Sequence, residues 1–142
     1  MSDTTIREME QDEEFSAWFS DLLTEEDAAA GTSSHVEDRY LVLSSDIGDW
    51  VGGLRFTLQG GVAHLVELAV APTERGQGHA HRLLGAFEER AAAHGAHLAE
   101  FWTDDHRSEL LLAEAGWRRV VTRAGYIGGR TWYLMEKPFD TE

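Results

Sequence analysis

The run Val62 to Ala71, VAHLVELAVA, most constrains what this chain can fold into. It is apolar at nearly every position rather than at every second one, as a strand covered on both faces would be. Pro72 ends it, and a short loop carrying Gly76 and Gly78 leads to a helical stretch, Gly78 to His94. There Ala80, Leu83, Leu84, Phe87 and Ala91 recur along one face, and Gly95 supplies the stop. On the other side of the run, Leu54, Phe56 and Leu58 alternate with Arg55, Thr57 and Gln59, the pattern of a half-buried strand. Gly60-Gly61 between the two fits a two-residue hairpin, because both glycines tolerate positive φ. A hairpin before the run and a helical crossover after it require a sheet of mixed direction.

The remaining elements extend that sheet. Thr4 to Met9 is a short strand candidate. Phe15, Trp18, Phe19 and Leu22 then mark the buried face of a helix. Thr24, followed by Glu25, Glu26 and Asp27, reads as the cap of a second, short helix, and Gly31 to Ser34 as loop. Tyr40 to Leu43 is an apolar strand, with turn chemistry from Asp46 to Asp49. Leu98 to Thr103 is a strand, His106 to Ala115 a helix closed by Gly116, and Arg118 to Arg123 and Thr131 to Glu136 two last strands meeting around Gly128-Gly129. The expected architecture is α/β, a single-domain mixed and mostly antiparallel sheet flanked by helices, ordered β-α-α-β-β-β-α-β-α-β-β. No repeat or linker interrupts it, so residues 1–142 read as one domain with its core at about 4–138.

Composition excludes several chemistries. The chain has no cysteine, hence no disulfide, thiolate nucleophile or cysteine-ligated zinc. Its net charge is −14, and between Arg7 and Arg39 stand eleven acids and no lysine or arginine. Such a surface repels phosphate backbones and anionic lipids, so no nucleic-acid or membrane partner is expected, whereas a protonated amine would be attracted. The same charge also serves solubility alone. The acidic N-terminus lacks a signal-peptide pattern, which places the expected location in the cytoplasm. His79 and His81 point to different sides of their helix, and no carboxylate spacing completes a metal site with His94 and His97, so no metal is expected. Trp102, Trp117 and Trp132 read as core or wall residues.

The loop LAVAPTERGQGHA, starting at Leu68, carries the functional signal. Glycines at 76 and 78 remove Cβ atoms where an anion must approach the backbone. The first helical turn beyond them presents unpaired N–H groups and the positive dipole end. The pattern Arg75-x-x-Gly78-x-Ala80, after a strand ending Leu-Ala-Val-x-Pro, resembles the pyrophosphate loop of the GCN5-related N-acetyltransferases. Glu-Ala-Gly-Trp at 114–117 is similar to that family's Gly-Phe helix end, and the element order matches from Thr4 to Pro138. The resemblance implies the acyl-CoA N-acyltransferase fold and acetyl-CoA as cosubstrate. It implies that the backbone of Leu68, Ala69 and Val70 pairs with the pantetheine arm. The pyrophosphate would then lie on amides from Arg75, Gly76, Gln77, Gly78, His79, Ala80 and His81, beside a sheet that splays. Asp105 stands where an asparagine often contacts the cofactor, and the acidic N-terminal helices would wall the acceptor site. A homodimer is one arrangement the family uses.

The implied reaction is direct attack of an amine on the thioester, in a ternary complex. An alkylammonium must lose its proton, so a base is needed. Glu67 is a charge inside the apolar run and is expected to be buried there; His64 falls where related enzymes place a catalytic histidine. Simple alternation puts His64 with Val66, Leu68 and Val70 and Glu67 on the opposite face, unless a bulge changes the parity. Leu112 stands at the position of the family's proton-donating tyrosine and cannot donate; Tyr126 or Tyr133 could substitute, or the thiolate could leave unaided. The expected acceptor is a primary amine, small and cationic, with a protein or peptide amine, or acyl-CoA sensing without turnover, as alternatives. A third alternative, a tRNA-acetylating toxin, is opposed by the charge.

Overall fold

The computed structural model describes residues 4–31 and 35–140. Two compact units make up the chain, Met1–His35 and Val36–Glu142.

In the first unit, helix α1 runs Glu13–Ala30. Asp12 caps it by accepting from the Glu14 amide at 3.1 Å, and Gly31 ends it in the left-handed region at φ 72°. The two helices read from the sequence are therefore one. Thr24 lies inside it and donates its hydroxyl to the Ser20 carbonyl at 2.9 Å, so it does not cap. Thr4 to Met9 is irregular chain, not a strand: with Ile6 wholly exposed, it has no buried face to hold a pleat. The aromatic stripe is present, Phe15 lying 5.8 Å from Trp18 and stacked 5.6 Å from Phe19. The burial expected of it is absent, since Phe15, Trp18, Phe19 and Leu22 all remain exposed. Of the expected loop at Gly31 to Ser34, residues 32–34 lie outside the described residues.

The second unit holds the sheet, built from β1 (Glu37–Ser44), β2 (Trp50–Gln59), β3 (Val62–Val70), β4 (Leu98–Thr103), β5 (Arg118–Arg123) and β6 (Trp132–Pro138). Among the described residues the spatial order is β1-β2-β3-β4-β6-β5. Only β3 and β4 pair in parallel; the other neighbours are antiparallel. Gly60 and Gly61, at φ 56° and 84°, make the expected tight hairpin between β2 and β3. Helix α2 (His79–Ala93) and helix α3 (His106–Glu114) follow β3 and β4.

Both helices pack on one sheet face. Leu83, Leu84, Phe87 and Ala91 of α2 and Leu112 of α3 join Leu54, Phe56, Ala63, Leu65, Ala99 and Met135 in one core. Phe87 is its hub, edge-on to Phe56 at 5.1 Å and stacked near Trp117 at 6.2 Å. Lys137, the only lysine, ties three elements together there. Its Nζ reaches Glu88 of α2 at 2.5 Å and donates to the Ala115 carbonyl at the end of α3 at 2.8 Å. The opposite face carries Asp38, Tyr40, Arg55, Thr57, His64, Glu100, Trp102 and Glu136, none of them buried. No described helix is long and apolar enough to cross a membrane.

Candidate active site

The loop after β3 is shaped by its glycines. Pro72–Glu74 forms one 3-10 turn and Arg75 is extended. Gly76 and Gly78 both sit at φ 79°, and Gly78 serves as N-cap of α2. Any other residue there would strain the backbone by about 1–2 kcal/mol. A Cβ built at either glycine meets no atom within 4 Å, so the space in front of the loop is open. No side chain caps α2, and its first turn therefore leaves N–H groups pointing into that space. The dipole adds positive potential at the same place. A diphosphate fits such a cradle. Arg75 folds back, its Nε donating to the Val70 carbonyl at 3.2 Å. His79 Nε2 lies 3.9 Å from Glu74, and His81 Nε2 lies 3.3 Å from Glu114 of α3.

Beside the loop the sheet opens. β3 and β4 pair at Val62–Leu98, Ala63–Ala99 and His64–Glu100 and no further, although β3 continues to Val70 and β4 to Thr103. Leu65 to Val70 thus pair with β2 alone and present a free strand edge to the opening, the edge an extended pantetheine arm would need.

A bulge sets which side chains face the opening. Arg55 pairs with Glu67 and the next residue, Phe56, with Leu65, so Val66 is the extra residue of β3. Before it Ala63 and Leu65 face the helices; after it Leu68 and Val70 do. Simple alternation therefore fails here. His64, opposite Thr57, and Glu67, opposite Arg55, share the open face, where alternation alone would have separated them. Leu68 and Val70 are not on the His64 face, as alternation had them.

The two base candidates have different surroundings. The Glu67 side chain is 69% exposed, so the burial expected from its apolar run does not occur. Its carboxylate lies 3.6 Å from Arg55, which also holds Asp38 at 2.9 Å. The hydrogen bond that Arg55 donates to Asp38, and then the charge of that carboxylate, hold the Arg55 guanidinium even more firmly protonated than usual. Glu67 borders a groove of about 360 Å³ over the open face, between Tyr40, Val42, Gly53 and Ala69. His64 is two-thirds buried at the apex of the opening, with its Nδ1 3.4 Å from Glu100.

Asp105 is spoken for locally: it caps α3, accepting from the Arg107 amide at 3.1 Å and the Ser108 hydroxyl at 3.3 Å. Leu112 is a core residue, 2% exposed. Tyr126 packs in an aromatic cluster at the open end of β4, 5.3 Å from Trp102 and edge-on to Trp132 at 6.2 Å, with the Arg123 guanidinium 4.9 Å above its ring. Tyr133 sits opposite Thr103, its ring under Arg119 at 4.1 Å. Trp117 is core, 3% exposed, while Trp102 and Trp132 are half-buried. Sequence reasoning missed Glu100, Arg55 and Asp38. Glu100 carried a signal of the same kind as Glu67, a charge inside the apolar stretch Leu98 to Trp102.

Residues 4–117 match the acetyltransferase (GNAT) family. With that span covering most of the chain, the protein belongs to this family, whose enzymes use acetyl-CoA or another acyl-CoA as cosubstrate. Solved structures agree on the fold. A protein from Agrobacterium tumefaciens assigned as an acetyltransferase is similar over 97% of this chain and 100% of its own, at 23% identity and a TM-score of 0.77. A Klebsiella pneumoniae protein assigned as an acyl-CoA N-acyltransferase is similar over 91% and 92%, at 26% identity and a TM-score of 0.65. An aminoglycoside 6′-acetyltransferase is similar over 75% and 72%, at 20% identity and a TM-score of 0.65. No curated protein matches the sequence significantly.

Proposed function

We propose that the chain is an acetyl-CoA-dependent N-acetyltransferase acting on a small, cationic primary amine, with His64 as the group that accepts the ammonium proton. The observation that carries this reading is the parting of β3 and β4 immediately beyond His64, next to the Gly76-x-Gly78 cradle. The amides from Arg75 to His81 hold the pyrophosphate, and the free edge of Leu68 to Val70 aligns the pantetheine arm. That alignment brings the thioester to the opening, where a backbone N–H of the same edge supports its developing oxyanion. His64, at the apex, takes the ammonium proton and so frees the amine to attack; the second N–H proton passes to solvent as the tetrahedral intermediate collapses to amide and thiolate. Glu67, beside His64 on the same face, attracts the incoming cation. The leaving thiolate is stable enough at neutral pH to need no dedicated acid, which accommodates a leucine at position 112. Asp38, Glu67, Glu100 and Glu136 on the open face, and the chain's charge of −14, support a cationic rather than an anionic acceptor. The same charge argues against a nucleic-acid acceptor.

The test follows CoA thiol release over a panel of polyamines, aminoglycosides, amino acids and peptides. Turnover with a small cationic amine supports the reading; a preferred neutral or anionic acceptor overturns the cationic part. The rival is a non-catalytic acyl-CoA sensor, favoured by the buried Leu112 where a proton donor is usual. Tight acetyl-CoA binding with no thiol release from any amine would establish that rival instead.

A further inference from the structure

We propose that Glu100 is the positioning residue for His64: it fixes the imidazole proton on Nδ1 and so turns Nε2 outward as the proton acceptor. The proposal rests on reading His64 as the base. The two residues are the last register pair before β3 and β4 part, so the ladder holds their backbones opposite one another on the open face. His64 Nδ1 lies 3.4 Å from Glu100 Oε1, and both side chains are about two-thirds buried. That separation is long for a hydrogen bond, as catalytic contacts often are before substrate binds.

Position makes this carboxylate, rather than a neighbour, the partner. Thr57 faces His64 from β2, and Glu67 follows on β3 beyond the bulge, engaged by Arg55 at 3.6 Å. Glu136 faces Glu100 from β6, where Arg118 holds it at 3.0 Å. Glu100 is therefore the carboxylate that meets the imidazole.

The chemistry follows from imidazole itself. A neutral ring has one N–H and one bare nitrogen, and the partner of one decides the state of the other. An isolated imidazole favours the proton on Nε2, which would leave no acceptor facing substrate. A carboxylate at Nδ1 reverses that preference and also stabilises the imidazolium formed during the reaction, as the aspartate does in the serine-protease triad. In the step itself the N–H bond of the ammonium breaks and an Nε2–H bond forms. Positive charge passes from ammonium to imidazolium, and Glu100 stays ionised throughout.

The test combines ¹⁵N NMR of the full-length protein, under conditions where His64 is neutral, with steady-state kinetics. Expected in the wild type is a protonated Nδ1 and a bare Nε2. Glu100→Leu should shift His64 toward the Nε2–H form and lower kcat about 10- to 100-fold, part of the 10²–10⁴ a general base supplies, with KM for acetyl-CoA within about twofold. Glu100→Gln keeps an acceptor carbonyl and should keep the tautomer while losing part of kcat. It also serves if the leucine variant folds poorly. A bare Nδ1 in the wild type, or a tautomer untouched in Glu100→Leu, overturns the proposal. A tautomer that switches while kcat does not move overturns the positioning role, and if His64→Asn is then equally active, the fault lies in reading His64 as the base.

Discussion

The glycine loop and the bulged strand before it are neighbours in the chain, yet they work by opposite means. From Arg75 to His81 the groups that would meet a ligand are backbone amides, placed by two glycines at φ 79° and by the start of a helix. On β3 the working groups are side chains, and their direction depends on a single extra residue, Val66. On the proposed reading, the loop should tolerate changes of side chain but not of backbone geometry. On the same reading, the strand should tolerate neither a change at His64 nor a change of parity between residues 64 and 67. A site of the first kind is written in the local sequence; a site of the second kind needs the fold.

The largest effect expected is on the strand side. His64→Asn should lower kcat about 10²–10⁴-fold, the range for losing a general base. Glu67→Gln should stay within about tenfold, because an exposed carboxylate shared with Arg55 acts on substrate capture. Both variants should keep wild-type acetyl-CoA affinity by calorimetry. Comparable losses in kcat from both would break the distinction between a base at His64 and a capture group at Glu67.

That distinction was only half legible in the sequence. Both residues stood out as polar positions in an apolar run, but alternation assigned them to opposite faces, because a bulge leaves no local mark in VAHLVELAV. The sheet itself was legible: the hairpin glycines, the strand alternation and the helix stops each have a local physical cause. The N-terminal region was not. Thr24 followed by three acids reads as a cap, yet its hydroxyl bonds back to Ser20 within one continuous helix, and no local signal separates those two uses. Glu100 escaped notice because its meaning comes from His64, 36 residues earlier, across a parallel pair.

On the loop side, Gly78→Val should weaken acetyl-CoA binding about 10²-fold, the size of losing one or two charge-assisted hydrogen bonds at ~1.5–3 kcal/mol each. A Cβ at position 78 meets no protein atom within 4 Å, so the folding cost expected is that of the strained φ. A fall in melting temperature of a few degrees is expected beside the binding loss. Wild-type affinity in a folded Gly78→Val protein would move the pyrophosphate elsewhere.

A smaller effect belongs to the electrostatics of the whole chain. With a net charge of −14, the KM of a cationic acceptor should rise a few-fold between low and physiological salt, where the Debye length shrinks to about 8 Å. The kcat should change little, because the proton transfer occurs between groups in contact. Initial rates across an ionic-strength series, with the amine varied at saturating acetyl-CoA, separate the two parameters. A kcat that falls in step would mean that charge acts in the transition state rather than in capture.

The smallest effect is expected at Tyr126, and it tests whether the opening needs an acid at all. Its ring is held by packing: Trp102 at 5.3 Å, Trp132 edge-on, and Arg123 above. Phenylalanine preserves all three contacts and removes only the hydroxyl. A thiol such as cysteine's titrates near about 8.5, so a thiolate is a stable leaving group and is expected to depart without protonation in the transition state. Tyr126→Phe should therefore keep kcat within about threefold of wild type, against the 10²–10⁴ expected for a true general acid. Any loss it does show should be flat across pH, as a packing change is. A loss above a hundredfold that deepens with falling pH, where the tyrosine would be needed to donate, would instead install Tyr126 as the acid that position 112 lacks.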